Sequence, residues 1–185
     1  YIDLHAGDTS EEVMPFVYYN VAAGEKIARV SANMAMAADM EVRASSTATT
    51  GAYSSACQRG LPAILMERGG GGRFTDSEVQ AYKRDVKNIM IRMGLLSGEE
   101  VHTVQQKNVT RAEYLEAETD GLWYPVFSAG DTFAGGAVLG TVRDIWGNLL
   151  REYRADYPGI VLYQTVGLGV KAGDPLIAYG EYVDR

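Results

Sequence analysis

Two short stretches of this 185-residue chain end in side chains that can handle a proton or a metal ion. Asp3-Leu4-His5 closes an apolar, strand-like opening, and Pro62-Ala63-Ile64-Leu65-Met66-Glu67 closes a second apolar run that leads into the glycines at 69–72. An imidazole suits a zinc ion, and a carboxylate beside a metal can take a proton from bound water. Each stretch also has a plainer reading: a histidine hydrogen-bonded in the core, or a glutamate solvated at a strand end. The glycine run resembles a phosphate loop, but no Lys-Ser/Thr follows it, which argues against that reading. Position is what links the two stretches. Ligands of open α/β sheets bind beyond the carboxyl ends of the strands, and His5 and Glu67 each end an inferred strand.

The elements that must hold these side chains are readable from apolar spacing. Residues 23–38 carry Ile27, Val30, Met34 and Ala38 at helical intervals, and residues 47–59 read as a second helix closed by Gly60. Residues 61–66 form a short buried strand. The clearest helix follows: Thr75 and Glu78 make a capping-box pattern, and Val79, Tyr82, Val86, Ile89 and Met93 recur down one face until Gly94. Alternating strands and helices predict an α/β layer over residues 1–98. Residues 99–115 read as a polar crossover with a strand over 101–104.

Residues 116–185 have a different character, with glycine-punctuated strands and at most one helical turn near 144–150. A faint duplication runs through them. The strand from Gly121 leads to Ala129-Gly130-Asp131, and the strand from Gly159 leads to Ala172-Gly173-Asp174, each followed by another apolar strand. Gly-Asp suits a tight turn, because glycine accepts positive φ and aspartate bonds nearby backbone. Two such halves predict a small all-β barrel or sandwich like a lipoyl domain. The candidate hairpin has no lysine to modify, so a carrier role is the weaker reading.

Bulk properties narrow the field further. With 46% hydrophobic and 22% charged residues the chain is ordinary globular material. A formal charge of −7 without a basic stripe argues against nucleic acid as a partner. No apolar run is long enough to span a membrane, so no membrane partner is expected. A single cysteine, Cys57, excludes an intrachain disulfide and fits a reducing cytoplasm; burial as a small hydrophobe is its expected role.

Asp-Leu-His, then Gly-x-Pro-Ala-Ile-x-x-Glu about sixty residues later, then glycines, resembles the succinylglutamate desuccinylase/aspartoacylase family. The helix ending in Met93-Gly94-Leu95-Leu96 and the Gly121…Gly130-Asp131…Leu139-Gly140 pattern agree with it. The resemblance implies part of a zinc-carboxypeptidase-like mixed sheet with flanking helices, followed by a lipoyl-like β-domain. It implies zinc-dependent hydrolysis of a small N-acyl amino acid, with His5 as a zinc ligand and Glu67 as the base that activates water. Asp3 would stand beside the metal site, and Arg68 and Arg59 are the candidates for holding a substrate carboxylate. The family's other zinc ligands lie in a His-x-x-Glu segment, expected upstream of Tyr1. The chain alone is therefore expected to be inactive, and self-association or association with that segment stays open. Rival readings are a zinc carboxypeptidase acting on peptides and a degenerate, metal-free binding protein.

Overall fold

A computed structural model describes residues 1–182. In chain order its elements are β1 (Ile2–His5), β2 (Glu11–Val13), β3 (Phe16–Asn20), α1 (Glu25–Ala37), β4 (Val42–Ser46), α2 (Ala52–Gln58), β5 (Ile64–Glu67), α3 (Asp76–Arg92) and β6 (Lys107–Val109). Strands alone follow: β7 (Ala112–Glu116), β8 (Gly121–Pro125), β9 (Thr132–Phe133), β10 (Val138–Arg143), β11 (Leu149–Arg154), β12 (Gly159–Thr165), β13 (Gly169–Val170) and β14 (Pro175–Glu181). The chain is mixed α/β, and no helix among the described residues is long and apolar enough to cross a membrane. Two compact units divide it. One comprises Tyr1–Ala6, Pro15–Arg68 and Phe74–Thr110; the other comprises Gly7–Met14, Gly69–Arg73 and the described residues from Arg111 onward.

The first unit is built on a five-stranded sheet in the order β1-β5-β3-β4-β6. Strands β1 and β5 run parallel to each other, while β3 is antiparallel to β5 and parallel to β4, which is parallel to β6. Alternate residues of a strand face one side, so Val17, Tyr19, Ile64 and Met66 together meet Met34, Ala35 and Ile89 of the helices in one core. All five residues of β3 are buried, as a strand covered on both faces requires.

Helix α3 starts and stops as its sequence dictates. Thr75 and Glu78 exchange both bonds of the capping box, satisfying amides that the first turn leaves without partners. At the other end Gly94 takes φ 73°, and the Leu95 amide bonds the Met90 carbonyl at 2.8 Å.

The inner face of α3 is not wholly apolar, since Asp85 and Asn88 are buried on it. Asn88 bonds both the carbonyl and the amide of Val101, at 2.8 and 3.0 Å. Asp39 accepts the Thr103 and Val104 amides at 2.7 and 3.2 Å, and Gln106 donates to the carbonyls of Ala35 and Ala38. These side chains take the place of a ladder, so residues 101–104 are not the strand that their apolar residues predicted. Strand β6 follows at Lys107–Val109, beside β4, and β7 begins at Ala112.

The second unit packs two sheets, β11-β10-β8-β13 and β2-β12-β14-β7, around one core that holds Trp123, Leu139, Tyr153, Val161, Leu176 and Tyr179. The duplicated turns repeat bond for bond. The Ser128 amide reaches the Asp131 carboxylate, and the Lys171 amide the Asp174 carboxylate, both at 2.8 Å. Gly130 (φ 91°) donates to the Val161 carbonyl, and the Val161 amide returns to Asp131; Gly173 (φ 90°) and Ala117 do the same with Asp174. No helical turn occurs near 144–150. The Asp144 carboxylate instead accepts the Trp146 and Asn148 amides at 2.8 and 2.9 Å, closing a hairpin from β10 into β11.

Asp39 makes the first unit sensitive to acid. Burial opposes its ionisation, but the Thr103 and Val104 amides, the Thr103 hydroxyl and Arg84 outweigh that and hold its carboxyl below the usual range. A depressed folded pKa contributes stability above the ordinary aspartate value and loses it as pH falls through the folded one. An Asp39→Asn variant should lose about 1–3 kcal/mol at pH 7. Urea unfolding should show the gap to the parent shrinking once the pH drops below about 3.9.

Candidate active site

His5 and Glu67 are partners in the parallel register of β1 and β5, so their side chains leave the same end of two adjacent strands. The imidazole Nδ1 lies 3.4 Å from Glu67 Oε1, and Nε2 lies 3.5 Å from Asp3 Oδ1. Asp3 reaches the ring because residues two apart on a strand share a face. The His5 side chain is 48% exposed while the two carboxylates are 15% and 17% exposed, so the ring stands outward above a carboxylate floor. Asp3 Oδ2 is buried and has no hydrogen-bond partner among the described residues.

A third element closes the pair from below. Tyr82 of α3 places its hydroxyl within hydrogen-bond distance of the His5 carbonyl and 3.0 Å from the Met66 carbonyl. Burial, and after it the Glu67 charge, push this phenol well above its ordinary pKa, so the hydroxyl keeps its proton and donates. The Arg68 guanidinium lies 5.5 Å from the Tyr82 ring centre and pairs with Asp85 Oδ2 at 2.8 Å. Asp85 is fully buried. Burial pushes its carboxyl up, and the Arg68 charge and the Asp39 amide pull it down without cancelling the rise.

The other residues singled out from the sequence are placed as follows. Arg68 has its guanidinium in this buried ion pair, and Arg59 is exposed at the end of α2. Cys57 is buried, 3.6 Å from the Ala63 carbonyl. The chain's second histidine, His102, pairs with Glu100 at 2.9 Å, which Arg92 also holds. The glycines after Arg68 turn the chain, with Gly69, Gly71 and Gly72 at positive φ. Gly70 allows a close approach, since a Cβ there would lie 2.4 Å from the Glu11 carbonyl oxygen.

Sequence reasoning missed Tyr82 and Asp85. Tyr82 passed as one apolar position of an amphipathic helix. The available signal was Asp85, which stands four residues from both Ala81 and Ile89 and so breaks the buried face with a charge.

As a metal site the residues present are a partial fit. Each His5 ring nitrogen faces a carboxylate, so a metal on one nitrogen would displace that contact and leave the other carboxylate to orient the ring. Zinc takes three or more protein ligands, and no group of three His, Cys, Asp or Glu able to hold a metal is found among the described residues.

No family model matches the sequence. The N-alpha-acetyl-L-2,4-diaminobutyric acid deacetylase of Halomonas elongata is 25% identical over 192 residues, covering 99% of this chain and 56% of that protein. The product-bound ectoine utilization protein EutE (DoeB) of Ruegeria pomeroyi superposes with a TM-score of 0.86 at 23% identity, over 98% of this chain and 57% of that one. A succinylglutamate desuccinylase/aspartoacylase of Rhodobacter sphaeroides gives 0.83 at 22% identity, over 98% and 58%. The chain has the fold of the succinylglutamate desuccinylase/aspartoacylase structures, and it spans a little over half the length of the relatives it matches.

The buried pair beneath the site should be costly to break from one side. Asp85→Ala leaves Arg68 buried without its counter-charge and should cost about 3–5 kcal/mol in urea unfolding. Replacing both partners, Arg68→Met with Asp85→Leu, should cost much less than Asp85→Ala alone.

Proposed function

We propose that this chain serves an enzyme that hydrolyses the amide bond of a small N-acyl amino acid. The observation that carries the reading is the His5–Glu67 pair, held in register at joined strand ends in a chain with the fold of known deacylases. The first substrate class to test is an N-acetylated diamino acid, because the Halomonas relative is named for one. In this reading the mixed sheet is part of a carboxypeptidase-like catalytic domain, and the second unit is a lipoyl-like β-domain. A cytoplasmic setting agrees with a lone buried cysteine.

His5 would supply one ligand to a zinc ion, with the remaining ligands coming from outside the described residues. When bound, such an ion polarises the acyl carbonyl and lowers the pKa of its water toward about 7. Glu67 then accepts the proton that the attacking water gives up. As the new C–O bond forms and the C–N bond breaks, Glu67 passes that proton to the leaving amine. Asp3 orients the His5 ring from behind. Arg68 and Arg59 remain the candidate holders of the substrate carboxylate, and for Arg68 that role requires its guanidinium to serve Asp85 at the same time.

The test separates the base from the ligand. In the protein with its full set of ligands, Glu67→Gln should keep fold and zinc but lose about 10²–10⁴-fold in kcat, because the amide cannot accept the proton. His5→Ala should lose metal and activity together. The 185-residue chain alone should retain little zinc after dialysis. Parental turnover by Glu67→Gln, or stoichiometric zinc on the isolated monomer, would show that these roles are misassigned. Hydrolysis of peptides in preference to N-acyl amino acids would move the activity to a carboxypeptidase.

A further inference from the structure

We propose that Tyr82 is a positioning residue: its hydroxyl ties the ends of β1 and β5 together and thereby sets the His5–Glu67 geometry. The catalytic part of this inference rests on the hydrolase reading above; the clamp itself rests on the structure.

Among the described residues, strand β1 pairs with β5 alone. The terminal residue of a strand has few backbone partners beyond it and opens readily. His5 is that residue, and its side chain is 48% exposed. The hydroxyl of Tyr82 reaches the carbonyl of His5 and, 3.0 Å away, that of Met66, the residue before Glu67. One proton is thus shared between the last turn of hydrogen bonding on both strands. Losing it lets the two ends part, and the 3.4 Å approach of His5 to Glu67 is the first distance to change.

Tyr82 is itself held in place. It is anchored in the middle of α3, packed against the core, with the Arg68 guanidinium near its ring. Arg68 is in turn fixed by Asp85, one turn along the same helix. The helix therefore grips the strand after Glu67 through an ion pair and both strand ends through one hydroxyl. The apolar burial of α3 would be served equally well by phenylalanine, so the hydroxyl is the part of this side chain that packing does not account for.

The experiment removes that hydroxyl alone. In the 185-residue chain, Tyr82→Phe should speed amide exchange at residues 4–7 and 66–68 by about tenfold, the size of one lost hydrogen bond, with little change in melting temperature. In the protein with its full set of ligands, it should lower kcat for an N-acetyl diamino acid by at least about tenfold while KM stays within about threefold. Installing 4-aminophenylalanine at position 82 restores a donor at the same place and should recover slow exchange and part of the turnover. Val86→Ala, on the same helix, serves as the control for general loosening. Unchanged exchange in Tyr82→Phe, or the same exchange and kcat changes in Val86→Ala, would overturn the proposal. Glu67→Gln in the same assay keeps the two claims apart. If it turns over at the parental rate, the hydrolase reading fails and the catalytic part of this inference with it. If it is inactive while Tyr82→Phe is not, only the role of Tyr82 fails.

Discussion

The parallel pairing of β1 with β5 is the contact on which the candidate site depends. Its register sets His5 opposite Glu67, and the neighbouring registers extend that row across the sheet through Phe16, Val42 and Lys107. A slip of one residue would turn every side chain of β1 to the other face and separate the ring from the carboxylate. The register is protected by burial on β5, where Ile64 and Met66 belong to the core, and by the α3 contacts at the strand ends.

Helix α3 meets two demands on a single face. Apolar residues such as Ile89 join the core, while Asp85 and Asn88 are buried to bind Arg68, the Asp39 amide and the Val101 backbone. A buried charge is costly and rarely adds net stability against an apolar replacement. Its value here is geometric. The Arg68–Asp85 pair fixes the residue after Glu67, and the Asn88 and Asp39 bonds hold a stretch of chain that has no ladder of its own. Burial opposes the ionisation of Asp85 even with Arg68 beside it.

In the second unit one local device is used twice. Ala-Gly-Asp forms a turn in which the aspartate carboxylate takes the amide three residues back and the glycine amide crosses to a neighbouring strand. Because each turn also receives an amide in return, from Val161 or from Ala117, it joins chain segments as well as reversing direction. The two-residue strand β9 follows the first of these turns, and the two-residue strand β13 leads into the second.

What the sequence determined by itself is what short-range chemistry decides. The capping box of α3, the apolar runs of β1 and β5 with their polar last residues, and the Gly-Asp turns all depend on residues a few positions apart. Each was legible without a structure. That His5 and Glu67 face one crevice was inferred from strand ends; their pairing and its register needed the fold, because the partners are about sixty residues apart. Tertiary structure alone decided that Tyr82 faces two carbonyls and not only the core, since an aromatic at helical spacing reads as apolar whether or not its hydroxyl has work to do. It also decided that residues 101–104 lie outside the sheet and that 144–148 closes a hairpin. In the first place the remote side chains of Asn88 and Asp39 take backbone bonds that periodicity assigns to a ladder; in the second the local Asp144 carboxylate takes amides that a helical turn would have used.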